Sequence, residues 1–368
     1  MRIELILPTL EAAGMETIVV ELALQLSNKG HVVGVTCIED TGVLEPRLAA
    51  AKVSVSLVPL PGLLPNFHPK AMVEHFRALA PDIVHSHSGT WLKSSLPARR
   101  AGVKGIVHTV HGLHEPERWR NLLFMHAGSR FTDVVAPVSA PLKEYLQDRV
   151  RIPRAKIQTV LNGVDTRRFN PELPAAGLRR SLGLPADAFL LGIVARFTPV
   201  KDHTTLIQAF HLVQERHPRA HLLLIGSGSL GPQLEALSFS LGLQDHIHFL
   251  GTLTDTAPAY RDLDTFVLSS LSEGTSMSIL EALSSGVPVV ATAVGGNPSL
   301  LGKGAHGLLV PPRNPGRLAQ AICGLIEDEE LRSGFGRAGR THVEAHLNLN
   351  MMVRQYESIY SRLIDKWS

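Results

Sequence analysis

The sequence predicts an α/β protein made of two doubly wound domains, each built on a parallel sheet. Three observations point there. Short apolar runs alternate with stretches of helical spacing along the whole chain, the pattern of repeated βαβ units. The 368 residues exceed what a single core usually holds. A stretch rich in Pro, Gly and Ala, 171–185, falls near the middle, and the alternation begins again after it.

In the first half, residues 3–7, 32–37, 82–85, 105–109 and 133–137 read as buried strands. Between the first two, Ile18, Leu22 and Leu26 with Val19 and Ala23 fall at helical spacing over 16–29, and Gly30 ends the run. Near residue 160 the texture changes, where Val160 and Leu161 read as a strand running into the turn formers Asn162 and Gly163. Strands follow at 190–195, 221–225, 247–250, 264–268 and 288–292, with a helix over 206–215. The tail, 351–368, carries Met352, Tyr356, Ile359, Leu363 and Trp367 at helical spacing. The expected divisions are an N-terminal domain over 1–168, a linker over 169–186, a second domain over 187–345 and a closing helix over 346–368.

Composition excludes several classes. Apolar residues at 44% and charged residues at 19% argue against disorder. Two cysteines far apart, Cys37 and Cys323, exclude a disulfide scaffold and a Cys-rich zinc module, and suit a reducing compartment. A net charge of +3 is too small for a dedicated nucleic-acid binder. No run reaches the roughly 18 apolar residues of a membrane span. Glu4, Pro8 and Glu11 interrupt the apolar core that a signal peptide needs. A cytoplasmic protein is expected, at most peripheral at the inner face of the cytoplasmic membrane. All of the net charge lies in residues 1–165, with Lys93, Arg99, Arg100, Lys104, Arg118, Arg120 and Arg130 among its basic residues. They read as a solvated surface, or as a weakly basic face for anionic lipid or an anionic acceptor.

In open parallel sheets, ligands sit beyond the carboxyl ends of the strands, so the loops after strands matter most. Residues 269–286, S-S-L-S-E-G-T-S-M-S-I-L-E-A-L-S-S-G, follow a strand and turn into a helix. Gly274 lets backbone approach a ligand, Thr275 or Ser276 can cap the helix, Ile279, Leu280 and Leu283 form its inner stripe, and Gly286 stops it. Free N–H groups and the positive dipole end of such a helix suit a pyrophosphate. Glu273 and Glu281 bracket the turn, and a carboxylate can accept paired hydrogen bonds from the vicinal hydroxyls of sugars. The same two positions also suit a capping group and a solvated helix residue.

Arg196 ends one strand and Lys201 precedes a helix. A local salt bridge is one reading; a lysine opposing a helix dipole is better matched to an anion held between the two. His108, His111 and His114, with His85 and His87 nearby, suggest a metal, but strand and loop positions should point these rings apart, and no metal site is expected. His111, beside Gly112 at a strand end, can position sugar hydroxyls. Gly226, Gly228 and Gly231 fit G-x-G-x-x-G, yet Asp245, about 20 residues on, precedes its strand instead of ending it, so nicotinamide chemistry is not expected.

Taken together and in this order, these segments resemble the retaining GT-B glycosyltransferases of family 4. Residues 269–286 look like its donor-binding E-x7-E element. Glu11-Ala-Ala-Gly14-Met15-Glu16 resembles its first glycine loop, with Ala13 in place of a glycine. Residues 81–87 and 108–112 look like its N-domain strand ends, 160–165 like its interdomain signature, Arg196 and Lys201 like its basic pair, and 224–228 and 249–253 like its nucleotide-side loops. The likeness covers nearly the whole chain.

The resemblance implies two Rossmann-like domains facing a cleft, with the last helix crossing back to the first. It implies transfer, with retention, of a hexose from a UDP- or GDP-linked donor to a glycan or lipid-linked acceptor, in bacterial surface polysaccharide synthesis, with no cofactor and no metal. Arg196 and Lys201 would neutralise the diphosphate, Glu281 would bind the ribose and Glu273 the donor sugar. Gly274, Thr275, Ser276, Met277 and Ser278 would offer backbone N–H groups to sugar and phosphate, with Ile279 in the same donor-binding stretch. His111 would lie under the sugar near the anomeric carbon, Gly14 would approach the diphosphate, and Gly226 and Leu253 would lie on the nucleotide side. The residues also fit a GT-B nucleotide-sugar epimerase or a non-catalytic nucleotide-sugar-binding protein. Acceptor choice is expected to depend on the loops 62–69 and 87–91.

Overall fold

The computed structural model describes residues 1–11, 14–60, 69–112 and 119–367. The expectations for Ala13, His114, Arg118 and the loop 62–68 lie outside the described residues. The chain divides into two compact units, Met1–Gly163 with Leu349–Ser368, and Val164–Asn348.

The first unit holds strands β1 (Arg2–Leu7), β2 (Val32–Cys37), β3 (Ser54–Leu57), β4 (Ile83–His87), β5 (Gly105–Val110) and β6 (Val134–Pro137), in the order β3-β2-β1-β4-β5-β6. The second holds β7 (Phe189–Val194), β8 (Ala220–Ile225), β9 (Ile247–Gly251), β10 (Thr265–Leu268), β11 (Val289–Thr292) and β12 (Leu308–Val310), in the order β12-β11-β10-β7-β8-β9. Every neighbouring pair is parallel. Each sheet starts at its centre, winds outward one way and returns to wind the other. That leaves a switch point between β1 and β4, and another between β7 and β10.

Central strands such as β8 are buried along their whole length, because helices cover both faces of a parallel sheet. This is why continuous apolar runs revealed them. The edge strands β3 and β12 were not foreseen. Ser54–Leu57 alternates serine with apolar residues, and Leu308–Val310 is too short to register. Val160, expected in a strand, lies outside one; its N–H donates to the Pro137 carbonyl at 3.1 Å.

Residues 169–186, expected as a linker, pack instead on the second unit. The Phe169 ring sits in its core, and Ala176 N–H donates to Pro258 O at 3.1 Å. Arg179 reaches Asp264 at 2.5 Å and the Asp262 carbonyl at 2.9 Å. The helix Leu349–Asp365, last in sequence, belongs to the first unit. Its buried face presents Met352, Tyr356, Ile359, Tyr360 and Leu363, and Glu357 binds Lys29 at 2.6 Å and His31 at 3.1 Å. Trp367, placed on that face by spacing, is 64% exposed, and its indole N–H donates to Lys104 O at 2.9 Å.

One carboxyl lies inside the first unit. Glu4 on β1 is 4% exposed, accepts from Thr36 Oγ1 at 2.6 Å, and fills the space that a side chain at Gly34 would need. Burial pushes its carboxyl up to about 7. The folded protein therefore holds a proton that the unfolded chain has released. That contribution is full below the unfolded value and is lost as pH rises through about 7. Glu4→Gln should gain stability relative to wild type between pH 5 and pH 8, by about 2–3 kcal/mol. Melting curves across that range test this; a Tm difference that does not change with pH would contradict it.

Candidate functional site

The switch point of the second unit gathers the loops after β7 and β10. Leu271 N–H donates to Val200 O at 2.8 Å, and the Ser269 hydroxyl donates to Lys201 O and Asp202 O at 2.9 and 3.0 Å. These bonds bring Lys201 Nζ to Glu273 Oε1 at 2.6 Å, where the Ser270 hydroxyl also donates at 2.6 Å. Asp202 caps the helix His203–Arg216 by accepting from Thr205 N–H and hydroxyl at 3.3 and 2.7 Å, so Lys201 stands just outside the first turn. Lys201 thus pairs across the sheet and not with a neighbour on its own helix. Arg196 is exposed, and its guanidinium has no partner among the described residues.

The glycine loop after β8 lies against the same segment. Gly226 has φ +141°, and any side chain there would overlap the Ala195 carbonyl. Phe197 N–H donates to Ser227 O at 2.9 Å, and Gly226 N–H donates to Gly251 O at 2.8 Å. Close packing of strand-end loops therefore accounts for Gly226 and Gly228, while a side chain at Gly231 would meet only the Phe197 ring, at 3.8 Å. Half-buried Leu253 follows the outer loop, where Ser227 and Thr252 hydroxyls meet at 2.9 Å.

The helix Met277–Ser284 starts where expected. Ser276 is its cap, accepting from Ile279 N–H at 3.3 Å, and Gly286 at φ +71° follows its end. Gly274, Thr275, Met277 and Ser278 are half-buried around that start. Ile279 does not fit the donor-binding set: its side chain is in the core and its N–H is taken by Ser276. Glu281 accepts from the Tyr260 hydroxyl at 2.8 Å, and burial pushes its carboxyl up to about 7. It is neither a free surface residue nor a cap.

In the first unit, exposed Gly14 opens the helix Gly14–Asn28 after β1. His111 lies just past β5, its Nε2 at 3.0 Å from His87 Nδ1 at the end of β4. The rings do not all point apart as spacing suggested. Positions 85, 87, 109 and 111 share one face of neighbouring strands, so His85 and His87 lie with ring centroids 4.2 Å apart. His108 faces the other way, bonded to Ser86 at 2.8 Å and stacked on Trp91 at 4.0 Å. Burial lowers all four, with His85 and His111 down to about 3, so they stay neutral at ordinary pH. Among the described residues, no three His, Cys, Asp or Glu side chains are placed to hold a metal ion. Within 87–91, His87, Thr90 and Trp91 are buried, which leaves little of that loop for an acceptor.

The model of Glycosyltransferase Family 4 matches residues 12–168, and that of Glycosyl transferases group 1 matches residues 176–342. A GDP-mannose-dependent alpha-(1-6)-phosphatidylinositol monomannoside mannosyltransferase of Mycobacterium tuberculosis is 31% identical over 71% of this chain and 72% of its own. The chain belongs to the family 4, group 1 glycosyltransferases. A D-inositol 3-phosphate glycosyltransferase of Catenulispora acidiphila is 29% identical to this glycosyltransferase, over 96% of this chain and 91% of its own. Anabaena Alr3699/HepE, solved in complex with UDP-glucose, shares the fold with a TM-score of 0.86 and 21% identity, over 98% of this chain and 99% of its own.

The fold of this glycosyltransferase is GT-B. Sequence reasoning named residues that lie in consecutive motifs and missed the groups that they pack against or bond to. Ser270 could have been seen beside Glu273. Tyr260 and Gly295 gave no signal, since each meets its partner only through the fold. Gly295 has φ +52°, and its bare Cα leaves room for the Glu273 carbonyl. The basic residues of the glycosyltransferase's first unit are partly spent on internal bonds. Arg99 pairs with Asp133 at 2.7 Å, Lys104 with Asp82 at 3.5 Å, and Lys93 donates to Leu60 O at 2.8 Å, while Arg100, Arg120 and Arg130 are exposed.

Proposed function

We propose that this glycosyltransferase moves a hexose, with retention, from a UDP- or GDP-linked donor to a glycan or lipid-linked acceptor of bacterial surface polysaccharide synthesis. The observation that carries this reading is the Lys201–Glu273 pair at the switch point, with Arg196 exposed in the loop after β7 and Glu281 on the helix after β10. The group leaving a nucleotide sugar is a diphosphate, on which negative charge grows as the glycosidic bond breaks. Arg196 and Lys201 would meet it, and Glu273 would then turn from Lys201 to the sugar hydroxyls. Glu281 takes the ribose diol, and His111 the sugar near the anomeric carbon.

Retention follows if the acceptor oxygen attacks on the face the phosphate leaves. The new bond from acceptor oxygen to the anomeric carbon forms as the old one breaks, and the acceptor's proton passes to the departing phosphate oxygen. The residues supply charge and position, with no metal or cofactor. A GDP-mannose-dependent relative and a fold neighbour solved with UDP-glucose support either base. Among the described residues, no helix is long and apolar enough to cross a membrane. A lipid-linked acceptor would instead be met at the cytoplasmic membrane face, where Trp119, Leu123 and Arg120, exposed on the helix Trp119–Arg130, offer a weak contact.

A thermal-shift panel of UDP, GDP, ADP, NAD and their sugar conjugates tests the donor site. A ligand at a hundred times its Kd stabilises by about 2.7 kcal/mol. One nucleoside diphosphate should raise the Tm of wild type and raise that of Glu281→Ala much less. Because the ionised carboxylate is the better acceptor and Glu281 titrates near 7, the shift should be larger at pH 8 than at pH 6. Silence from every diphosphate, or a response to NAD alone, would overturn the reading. The same protein floated with anionic vesicles tests the membrane contact.

A further inference from the structure

Glu281 holds its carboxylate through one hydrogen bond. Among the described residues its only partner is the Tyr260 hydroxyl, 2.8 Å from Oε2. The last torsion of a glutamate side chain is broad and roughly twofold, so the helix alone does not fix which way the two oxygens face. An ionised carboxylate only accepts, and burial beside that carboxylate pushes the Tyr260 phenol well up, so the hydroxyl is the donor.

That donor is itself held. Tyr260 is fully buried at the end of the short helix Ala257–Tyr260. Its ring packs on Phe266 of β10, centroids 5.6 Å apart, and edge-on against Phe169 at 5.8 Å. Phe169 is pinned in turn, since Ser284, on the helix of Glu281, and Arg340 both donate to its carbonyl at 2.7 Å. A phenol oxygen lies on the axis about which the ring turns, so a held ring holds the oxygen in place.

The two carboxylate oxygens therefore differ. Oε2 is engaged by Tyr260. Oε1 has no partner among the described residues, and on the half-buried Glu281 it stays accessible. The unpartnered Oδ2 of Asp262, two residues past Tyr260, is by contrast shut inside. Packing alone does not call for the hydroxyl, because phenylalanine would make the same ring contacts with no buried polar group to satisfy.

We propose that Tyr260 is a positioning residue for the donor nucleotide: by holding Oε2 it aims the accessible Oε1 of Glu281 at the ribose hydroxyls. The Tyr260 hydroxyl thereby sets how strongly the site prefers a nucleotide that carries them. The proposal rests on the reading that Glu281 takes the ribose.

Calorimetric titration of the full chain at pH 8 tests this, with UDP, GDP and their 2′,3′-dideoxy counterparts, on wild type, Tyr260→Phe and Glu281→Gln. Tyr260→Phe keeps both ring contacts and removes only the hydroxyl. Wild type should bind the matching ribonucleotide about ten- to a hundredfold more tightly than its dideoxy form, and Glu281→Gln should lose most of that preference. Tyr260→Phe should lose about tenfold in affinity for the ribonucleotide and less than about twofold for the dideoxy form. A purely structural tyrosine would weaken both alike. In steady state, the loss should fall on donor KM, with kcat within about threefold. Tyr260, Arg168 and Asp255 are the groups that bias Glu281 besides burial, and only the first is changed. Without its hydrogen bond to the ionised form, the rise of affinity with pH should move to higher pH in Tyr260→Phe. A Tyr260→Phe that keeps the full ribose preference, or that weakens both forms equally, overturns the proposal while Glu281 stands. A wild type that binds neither diphosphate or ignores the hydroxyls, or a Glu281→Gln that keeps the preference, sinks the reading of Glu281 and the proposal with it.

Discussion

Lys201→Met should lose about a hundred- to a thousandfold in kcat/KM for the nucleotide-sugar donor, the scale of removing one preorganised charge from a transition state. Part of that loss comes through Glu273. Its side chain is 8% exposed and, without Lys201, keeps only the Ser270 hydroxyl at 2.6 Å among the described residues. A carboxylate left in that position should lower stability by about 1–3 kcal/mol. The double variant Lys201→Met/Glu273→Gln separates the two effects, because it removes the stranded charge without restoring the cation. Its Tm should return toward wild type while its activity stays low. Donor kinetics on both variants check this, and a single variant within tenfold of wild type would show that the diphosphate does not sit at Lys201.

Gly295→Ala should be nearly as damaging to activity, although residue 295 carries no functional group. Its φ of +52° strains any side chain, and the added Cβ would overlap the carbonyl of Glu273, so the loop that aims Glu273 must move. Strain and overlap together should cost about 2–4 kcal/mol of stability. A shift near 1 Å in a positioned group can cost about a hundredfold in rate. Gly242→Ala is the matched control, with φ +70° and nothing within 4 Å of the new Cβ. It should lower stability only slightly, by about 1 kcal/mol, and leave kcat unchanged. Equal behaviour of the two variants in melting and in turnover would refute the account of Gly295.

What the sequence disclosed followed from which contacts are local. Both-face burial makes parallel strands continuous apolar runs, so the inner strands were legible and the edge strands β3 and β12 were not. The cap at Ser276, the stop at Gly286 and the spacing of Glu273 and Glu281 lie within one stretch of chain, and each was found. Tyr260 beneath Glu281, Gly295 behind Glu273 and His87 against His111 are partnerships made by the sheet, at sequence distances that no local pattern encodes. Residues 169–186 misled for a related reason. Pro, Gly and Ala describe a backbone that avoids regular structure, but docking is decided by single side chains, here Phe169 and Arg179. Ile279 shows the reverse case, a residue inside the right motif whose N–H the cap had already claimed.

The placement of Leu349–Asp365 also sets an order of events during synthesis. The first unit is encoded by residues 1–163 and then, after the whole second unit, by the final helix. A nascent chain that has emerged through residue 163 still lacks the face that covers β5 and the partners of His85 and Thr109. It must wait on the ribosome with two polar side chains and an apolar strip uncovered, while the second unit, contiguous in sequence, can close first. For this protein the half that begins earliest is the half that finishes last, and a premature stop anywhere downstream leaves it open to chaperones and proteases.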